Sequence, residues 1–284
     1  MYMATIIDGK KVASEIRSKI IDESKQLPRK PGLAVILIGD DPASRLYVSN
    51  KEKDCAECGF ISREYKLPIE TTQEELLKII YLLNKDETID GILVQLPIPD
   101  HIDERTIIEA IDPNKDVDAF HPVNVGKMIV GEPVLWPCTP AGIMELFNAY
   151  NIFLEGKICV MVGRSNIVGK PMTLLMLRHN GTVISCHSYT KNLPDITRQA
   201  DVLVVATGNL NLITGDMVKD GAVVIDVAMN RDPQTGKFTG DVVFSEVSEK
   251  ASFITPVPGG VGPMTRAILM RNILTAAKMH LGFS

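Results

Sequence analysis

A chain of 284 residues is long enough for two domains of ordinary size, each with a buried core. Its 45% apolar and 23% charged content is that of a soluble globular protein, and no apolar run reaches the length of a membrane span. A formal net charge of −5 argues against a broad nucleic-acid surface.

No basic region followed by a long apolar stretch opens the chain, so no secretory leader is expected. Thr5-Ile6-Ile7 reads as a short strand, and Asp8 as the N-cap of a helix carrying Val12, Ile16, Ile20 and Ile21 at helical spacing. Leu33 to Ile38 is a buried strand ending at Gly39. Asp40-Asp41-Pro42 then opens a second helix, with proline at a first-turn position. Ile61 to Leu67 reads as a strand, Thr72 to Leu83 as an amphipathic helix, and Gly91 to Leu96 as another buried strand. Prolines 97, 99, 113, 122, 133, 137 and 140 predict a long ordered loop, the kind of segment that often carries function. Ala141 to Tyr150 reads as a helix bridging two lobes. Lys157 to Met161, Thr182 to Cys186, Asp201 to Gly208 and Gly221 to Val227 are runs rich in β-branched residues, as in parallel strands covered on both faces. Helical stretches separate the first three, the first of them Met172 to His179. This is the doubly wound α/β pattern, which binds ligands at the carboxyl ends of its strands. Asp232-Pro233-Gln234-Thr235-Gly236 is a turn signal. Phe253-Ile254 reads as a strand, and Thr255 to Thr265 is a second glycine-rich stretch before a helix over Arg266 to His280.

The stretch Val162 to Pro171 joins a strand to a helix through Gly163 and Gly169, the geometry that aims backbone N–H groups at a phosphate. It is not a Walker A loop, because five residues separate Gly163 from Gly169-Lys170 and Pro171 follows. It also lacks the three-glycine dinucleotide fingerprint, and an ordinary strand-to-helix turn fits the glycine spacing equally well. The second strand ends in His187-Ser188-Tyr189-Thr190, without the acid that usually holds the ribose of NAD. Arg164 in the loop, with Ser188, favours the 2′-phosphate of NADP; a solvated loop cation is the alternative.

Tyr47 and Lys51 share a helix face, with Ser44 on the same side. Such a pair can hold an aromatic substrate beside a proton-transfer group, and equally suits a solvated face with a snorkelling lysine. Gln95 closes a strand, where its amide either faces a ligand or bonds backbone. Asp116 and Asp118 are either turn and capping residues or, in one case, an acceptor for two N–H groups of an aminopyrimidine edge. Thr139 caps a helix or touches the cofactor, Cys138 is a buried, unreactive thiol, and His187 is structural, cofactor-facing or a base. The five cysteines are neither a disulfide framework nor a metal site, since the Cys55/Cys58 pair has no matching second pair.

Taken in order, Gly39-Asp40-Asp41-Pro42-Ala43-Ser44, Tyr47-Val48 with Lys51, Gln95 to Pro99, Lys115 to Asp118, Cys138-Thr139-Pro140, Val162 to Pro171 and Thr255 to Thr265 resemble the bifunctional methylenetetrahydrofolate dehydrogenase/methenyltetrahydrofolate cyclohydrolase family. The resemblance runs from about Ile7 to Ala277. It implies two α/β lobes with a cleft between them, the second lobe a Rossmann-like NADP-binding domain. The expected division is a folate-binding catalytic domain over 1–139, completed by the helix 266–284, and a nucleotide domain over 140–265. The implied catalytic group is Lys51, Gln95 and Tyr47. Tyr47 also stacks on the folate, Asp118 binds the pterin, and Pro258, Gly259 and Gly262 close that site. Gly163, Arg164, Ser165, Ser188, Thr139 and Thr265 are the implied NADP contacts. The resemblance further implies tetrahydrofolate substrates, no metal, a homodimer, a cytoplasmic location and a place in one-carbon metabolism feeding purine biosynthesis. Ala119 and Ala228 stand where the family usually has glycine, and an added methyl there disfavours positive φ or crowds a ligand.

Overall fold

The computed structural model describes residues 3–233 and 235–283; Met1, Tyr2, Ser284 and Gln234, the last within the expected Asp232–Gly236 turn, lie outside the described residues. In chain order the strands are β1 (Thr5–Ile6), β2 (Gly32–Ile38), β3 (Ile61–Leu67), β4 (Gly91–Val94), β5 (Ile158–Val162), β6 (Thr182–Cys186), β7 (Val202–Val205), β8 (Val223–Asp226), β9 (Asn230–Arg231), β10 (Phe238–Thr239) and β11 (Phe253–Ile254). The chain divides into two compact units, residues 15–138 with 266–284 and residues 1–14 with 139–265.

The first unit holds a three-stranded parallel sheet in the order β3-β2-β4. All seven residues of β2 are buried, which is why its sequence is an unbroken apolar run. Ala34, Ile36 and Ile38 of β2 pack with Leu76, Ile80 and Leu83, the buried stripe of the helix Gln73–Lys85. Thr72 and Glu75 form a reciprocal capping box at the start of that helix. The second unit holds a six-stranded parallel sheet in the order β1-β11-β8-β7-β5-β6, with a small antiparallel ribbon of β9 and β10. Its core draws on Val160, Leu203, Val205, Val224 and Ile254 from four of those strands.

The expected domain division placed residues 1–14 with the folate half. They belong instead to the six-stranded unit, because β1 pairs in parallel with β11 through Thr5↔Phe253 and Ile6↔Ile254. The proline-rich segment 97–140 was expected to be loop, yet it contains the helices Glu104–Ala110 and Pro122–Val130. Asp103 caps the first, accepting from Thr106 N at 2.8 Å. The second starts on Pro122 and stops at Gly131, whose φ is +93°. The helix expected from Ala141 begins at Cys138, and the one expected from Arg266 begins at Val261. Gly262 and Thr265 therefore lie near the start of a helix rather than in a loop.

Candidate active site and nucleotide loop

Helix Pro42–Glu57 starts after β2, with Asp41 accepting from Ser44 N at 2.7 Å, and this sets the phase of Tyr47 and Lys51. Gln95 follows β4 and keeps the sheet's register by donating its N–H to Ile36 O at 2.9 Å. Its side-chain Nε2 donates to Leu96 O at 2.7 Å, which turns Oε1 toward Lys51 and lets Lys51 Nζ donate to it at 2.9 Å. The backbone-bonding alternative for Gln95 is the one seen, and the other end of the amide holds the lysine.

Burial holds the Lys51 ammonium below the usual lysine range, against the attraction of Asp118. Burial likewise pushes the Asp118 carboxyl up, opposed by the charge of Lys51 and by a hydrogen bond from the Cys138 thiol. The two aspartates differ in their partners. Asp116 is spent on structure: its carboxylate accepts from Phe120 N at 3.2 Å, His121 N at 2.8 Å and Asn124 Nδ2 at 2.8 Å. Asp118 interacts with the side chains of Lys51 and Cys138 and, like Asp116, borders an apolar pocket lined by Ile92, Val94, Ile98, Ile107 and Phe120. Tyr47 is 41% exposed, one helical turn before Lys51, so its ring is available to a flat ligand.

Asn272 was not singled out in the sequence. Its Nδ2 donates to Val117 O at 2.8 Å and Trp136 O at 2.7 Å, so a buried amide ties together the segments that carry Asp118 and Cys138. The partners lie more than 130 residues away in the chain, so no local pattern announces them. All five cysteines are buried and reduced, and burial pushes Cys55 and Cys58 up to about 12. Among the described residues no group of histidine, cysteine and carboxylate side chains is arranged to hold a metal ion.

In the six-stranded unit β6 lies on one side of β5 and β7 on the other, so the strand order reverses beside β5. That reversal opens a crevice at the carboxyl ends of β5 and β7, where open α/β sheets bind ligands. The residues there fit a dinucleotide. Gly163 follows β5 with φ +126°, and a Cβ on it would lie 2.3 Å from Ala206 O. A Cβ on Gly169 would lie 2.4 Å from Gly163 O. Both positions must be glycine for the turn to close this tightly. Ser165 Oγ accepts from Val168 N and Gly169 N, each at 3.2 Å, which leaves its hydroxyl proton free to donate to a phosphate. Arg164 is exposed and stands over the Tyr189 ring at 5.3 Å, next in sequence to exposed Ser188. His187 is occupied locally: its Nδ1 accepts from Tyr189 N at 3.2 Å.

Thr139 stands inside a helix rather than capping it, with its hydroxyl 2.8 Å from that of Thr265. Pro258 and Gly259 lie in the turn that precedes helix Val261–His280, Gly259 with φ +112°. A Cβ on Gly9 would lie 1.8 Å from Gly260 O, so this turn closes directly on the chain at Gly9. Thr207 and Gly208, just past β7, donate three hydrogen bonds to the carboxylate of Asp241. Asp241 too was invisible in the sequence, being 34 residues from Thr207 in an ordinary Gly-Asp pair.

Residues 7–118 match the family described as tetrahydrofolate dehydrogenase/cyclohydrolase, catalytic domain, and residues 137–281 match its NAD(P)-binding domain. The chain is 55% identical over 280 residues to the bifunctional protein FolD of Acetivibrio thermocellus, covering 98% of each. Among solved structures it is similar to the bifunctional FolD dehydrogenase/cyclohydrolase of Campylobacter jejuni, with 50% identity and a TM-score of 0.95 over 97% of this chain and 99% of that one. It is also similar to the Trypanosoma brucei enzyme complexed with NADP and an inhibitor, with 39% identity, a TM-score of 0.95 and 99% coverage of both chains.

Proposed function

Because the chain belongs to the tetrahydrofolate dehydrogenase/cyclohydrolase family, we infer that it oxidises 5,10-methylenetetrahydrofolate with NADP and hydrolyses the resulting 5,10-methenyl compound to 10-formyltetrahydrofolate. The observation that carries this reading is the Lys51–Gln95 hydrogen bond at 2.9 Å just past β4: an oriented lysine of lowered pKa that interacts with the charge of Asp118.

NADP, when bound, supplies the hydride acceptor. In the first step the C–H bond of the methylene bridge breaks with its electron pair, and the folate nitrogens stabilise the cation left behind. The protein's part is placement: Tyr47 stacks on the folate, and Asp118 accepts N–H groups of the pterin. In the second step water adds to the methenyl carbon and loses a proton, and a ring nitrogen gains one as its bond to that carbon opens. Lys51 is the group that moves this proton, because burial brings its amine toward neutrality while Gln95 fixes its direction.

At the nucleotide loop, Gly163 and Ser165 hold the phosphates, and Arg164 with Ser188 meets the 2′-phosphate. Thr139 and Thr265 are proposed as further NADP contacts, and Pro258, Gly259 and Gly262 as folate contacts. Family membership also supports a homodimer in the cytoplasm that supplies one-carbon units for purine biosynthesis. The test of the activity is to mix the protein with methylenetetrahydrofolate and NADP, following NADPH and the methenyl compound by their separate absorbances. Equal formation of both, followed by decay of the methenyl signal alone, is expected. A protein that forms neither, while binding both ligands, would sink the reading.

A further inference from the structure

We propose that Asp241 is a positioning residue for the nucleotide: by gripping the Thr207–Gly208 turn it fixes one wall of the crevice between β5 and β7. The proposal rests on the NADP reading of that crevice. Ala206 continues β7 by donating its N–H to Val162 O at 2.8 Å, and its carbonyl fills the space that Gly163 leaves by having no Cβ. The phosphate loop and the segment after β7 therefore touch, and a shift in one is a shift in the other. Immediately beyond Ala206 the backbone has left the sheet, so Thr207 N and Gly208 N have no strand partner. Both donate to Asp241 Oδ2, at 2.6 and 3.1 Å, and Thr207 Oγ1 adds a third bond at 2.8 Å. The other oxygen, Oδ1, accepts from Asn230 Nδ2 at 2.9 Å.

Asp241 is itself immobilised. It is fully buried, and its N–H donates to Asp226 Oδ1 at 3.1 Å, while Val242 N donates to Asp226 Oδ2 at 3.0 Å. A Cβ on Gly240 would lie 1.8 Å from Asp226 Oδ2, so only glycine lets the chain approach this closely. Asp226 N in turn donates to Thr255 Oγ1 at 2.8 Å. The ends of β7, β8 and β11 are thus tied into one hydrogen-bonded group, and the crevice wall is its outer member. Asp241 is fully buried with both carboxylate oxygens engaged, so it acts through Thr207 and Gly208 rather than as a ligand.

The experiment measures NADP affinity by equilibrium dialysis, together with KM for NADP and for the folate, in Asp241→Ala, Asp241→Asn and Thr207→Val. Asp241→Ala releases the turn and is expected to weaken NADP binding about 10-fold or more, with the folate KM nearly unchanged. Asp241→Asn keeps an acceptor for the turn, and the Asn230 amide can rotate to meet the new NH₂, so NADP affinity returns to within about 3-fold of the parent. Thr207→Val loses one of the three bonds and should lie between them. Parent-like NADP affinity in folded Asp241→Ala overturns the proposal. If that variant does not fold, parent-like affinity in Thr207→Val overturns it, and so does equal weakening of NADP and folate. A parent protein that fails to bind NADP overturns the cofactor reading itself, which separates the two failures.

Discussion

Lys51 and Ala119 are the residues on which single substitutions say most. Lys51→Met keeps the side chain's stem and removes its nitrogen. It is expected to slow the cyclohydrolase step by about 10²- to 10⁴-fold, the usual loss for a proton-transfer group. Dehydrogenase activity should persist in part, because the proposed folate contacts Tyr47 and Asp118 are untouched; circular dichroism checks the fold, and a parent-like hydrolysis rate would remove Lys51 from the mechanism. Ala119 has φ +59° and is almost fully buried, so it takes the left-handed backbone that glycine would adopt without strain. The added methyl thus leaves the Asp116–Asp118 turn in place, at a cost in stability. Ala119→Gly should stabilise the protein by about 1 kcal/mol, read as a higher urea midpoint at unchanged slope. A lower midpoint would mean that the methyl's packing outweighs the strain. At this scale the sequence was readable where a residue's chemistry is rare on its own helix face or strand end, as for Lys51 and Gln95. It was silent on Asp241 and Asn272, whose partners are distant in the chain and brought together only by the fold.

Strands and loops raise a different question, because their roles depend on ends. Arg164 lies in the loop after β5, and exposed Ser188 lies just past β6. With no carboxylate there to hold a ribose, Arg164→Ala should weaken NADP binding far more than NAD binding, both measured by titration. Equal losses would place Arg164 away from the 2′-phosphate. The strands were legible because parallel strands covered on both faces need unbroken apolar runs, as β2, β5, β7 and β8 have. Helices Glu104–Ala110 and Pro122–Val130 were not, and the reason is specific. By sequence Pro122 and Gly131 read as part of a loop, whereas they are the start and stop of a nine-residue helix, with His121 Nδ1 accepting from Val123 N at 3.1 Å. In a segment with seven prolines, a proline at a first helical turn and one in a loop look alike. The glycine-rich stretch near Thr255 misled in the same way, since Gly262 and Pro263 begin a helix.

For the whole molecule, the buried carboxyl of Asp226 gives a signature in pH. Burial pushes it up to about 7, against the backbone N–H bonds from Asp241 and Val242 that pull it down. In the unfolded chain an aspartate ionises near pH 3.9, so between about pH 4 and pH 7 the folded state binds more protons at this site. Its contribution to stability therefore falls as pH rises through that window, by at most about 1.4 kcal/mol per pH unit. Other carboxyls, such as Asp90 and Asp201, are shifted down and act oppositely, so the test is a difference. The stability of the parent minus that of Asp226→Asn should shrink from pH 4.5 to pH 7 in urea titrations. Parallel curves would mean that Asp226 stays ionised throughout. The interleaving of the two units also bears on how the protein is made. Residues 15–138 need helix residues 266–280, which anchor through Arg266 to Asp54, Asn272 to Val117 and His280 to Asp90. A ribosome delivers those residues only after the entire 139–265 segment has emerged. The contacts between 15–138 and this helix therefore form only after the segment of the second sheet has been synthesised. Residues 15–138 are completed by a segment made after 139–265, and a chaperone acting on the nascent chain is expected to find exposed apolar surface there.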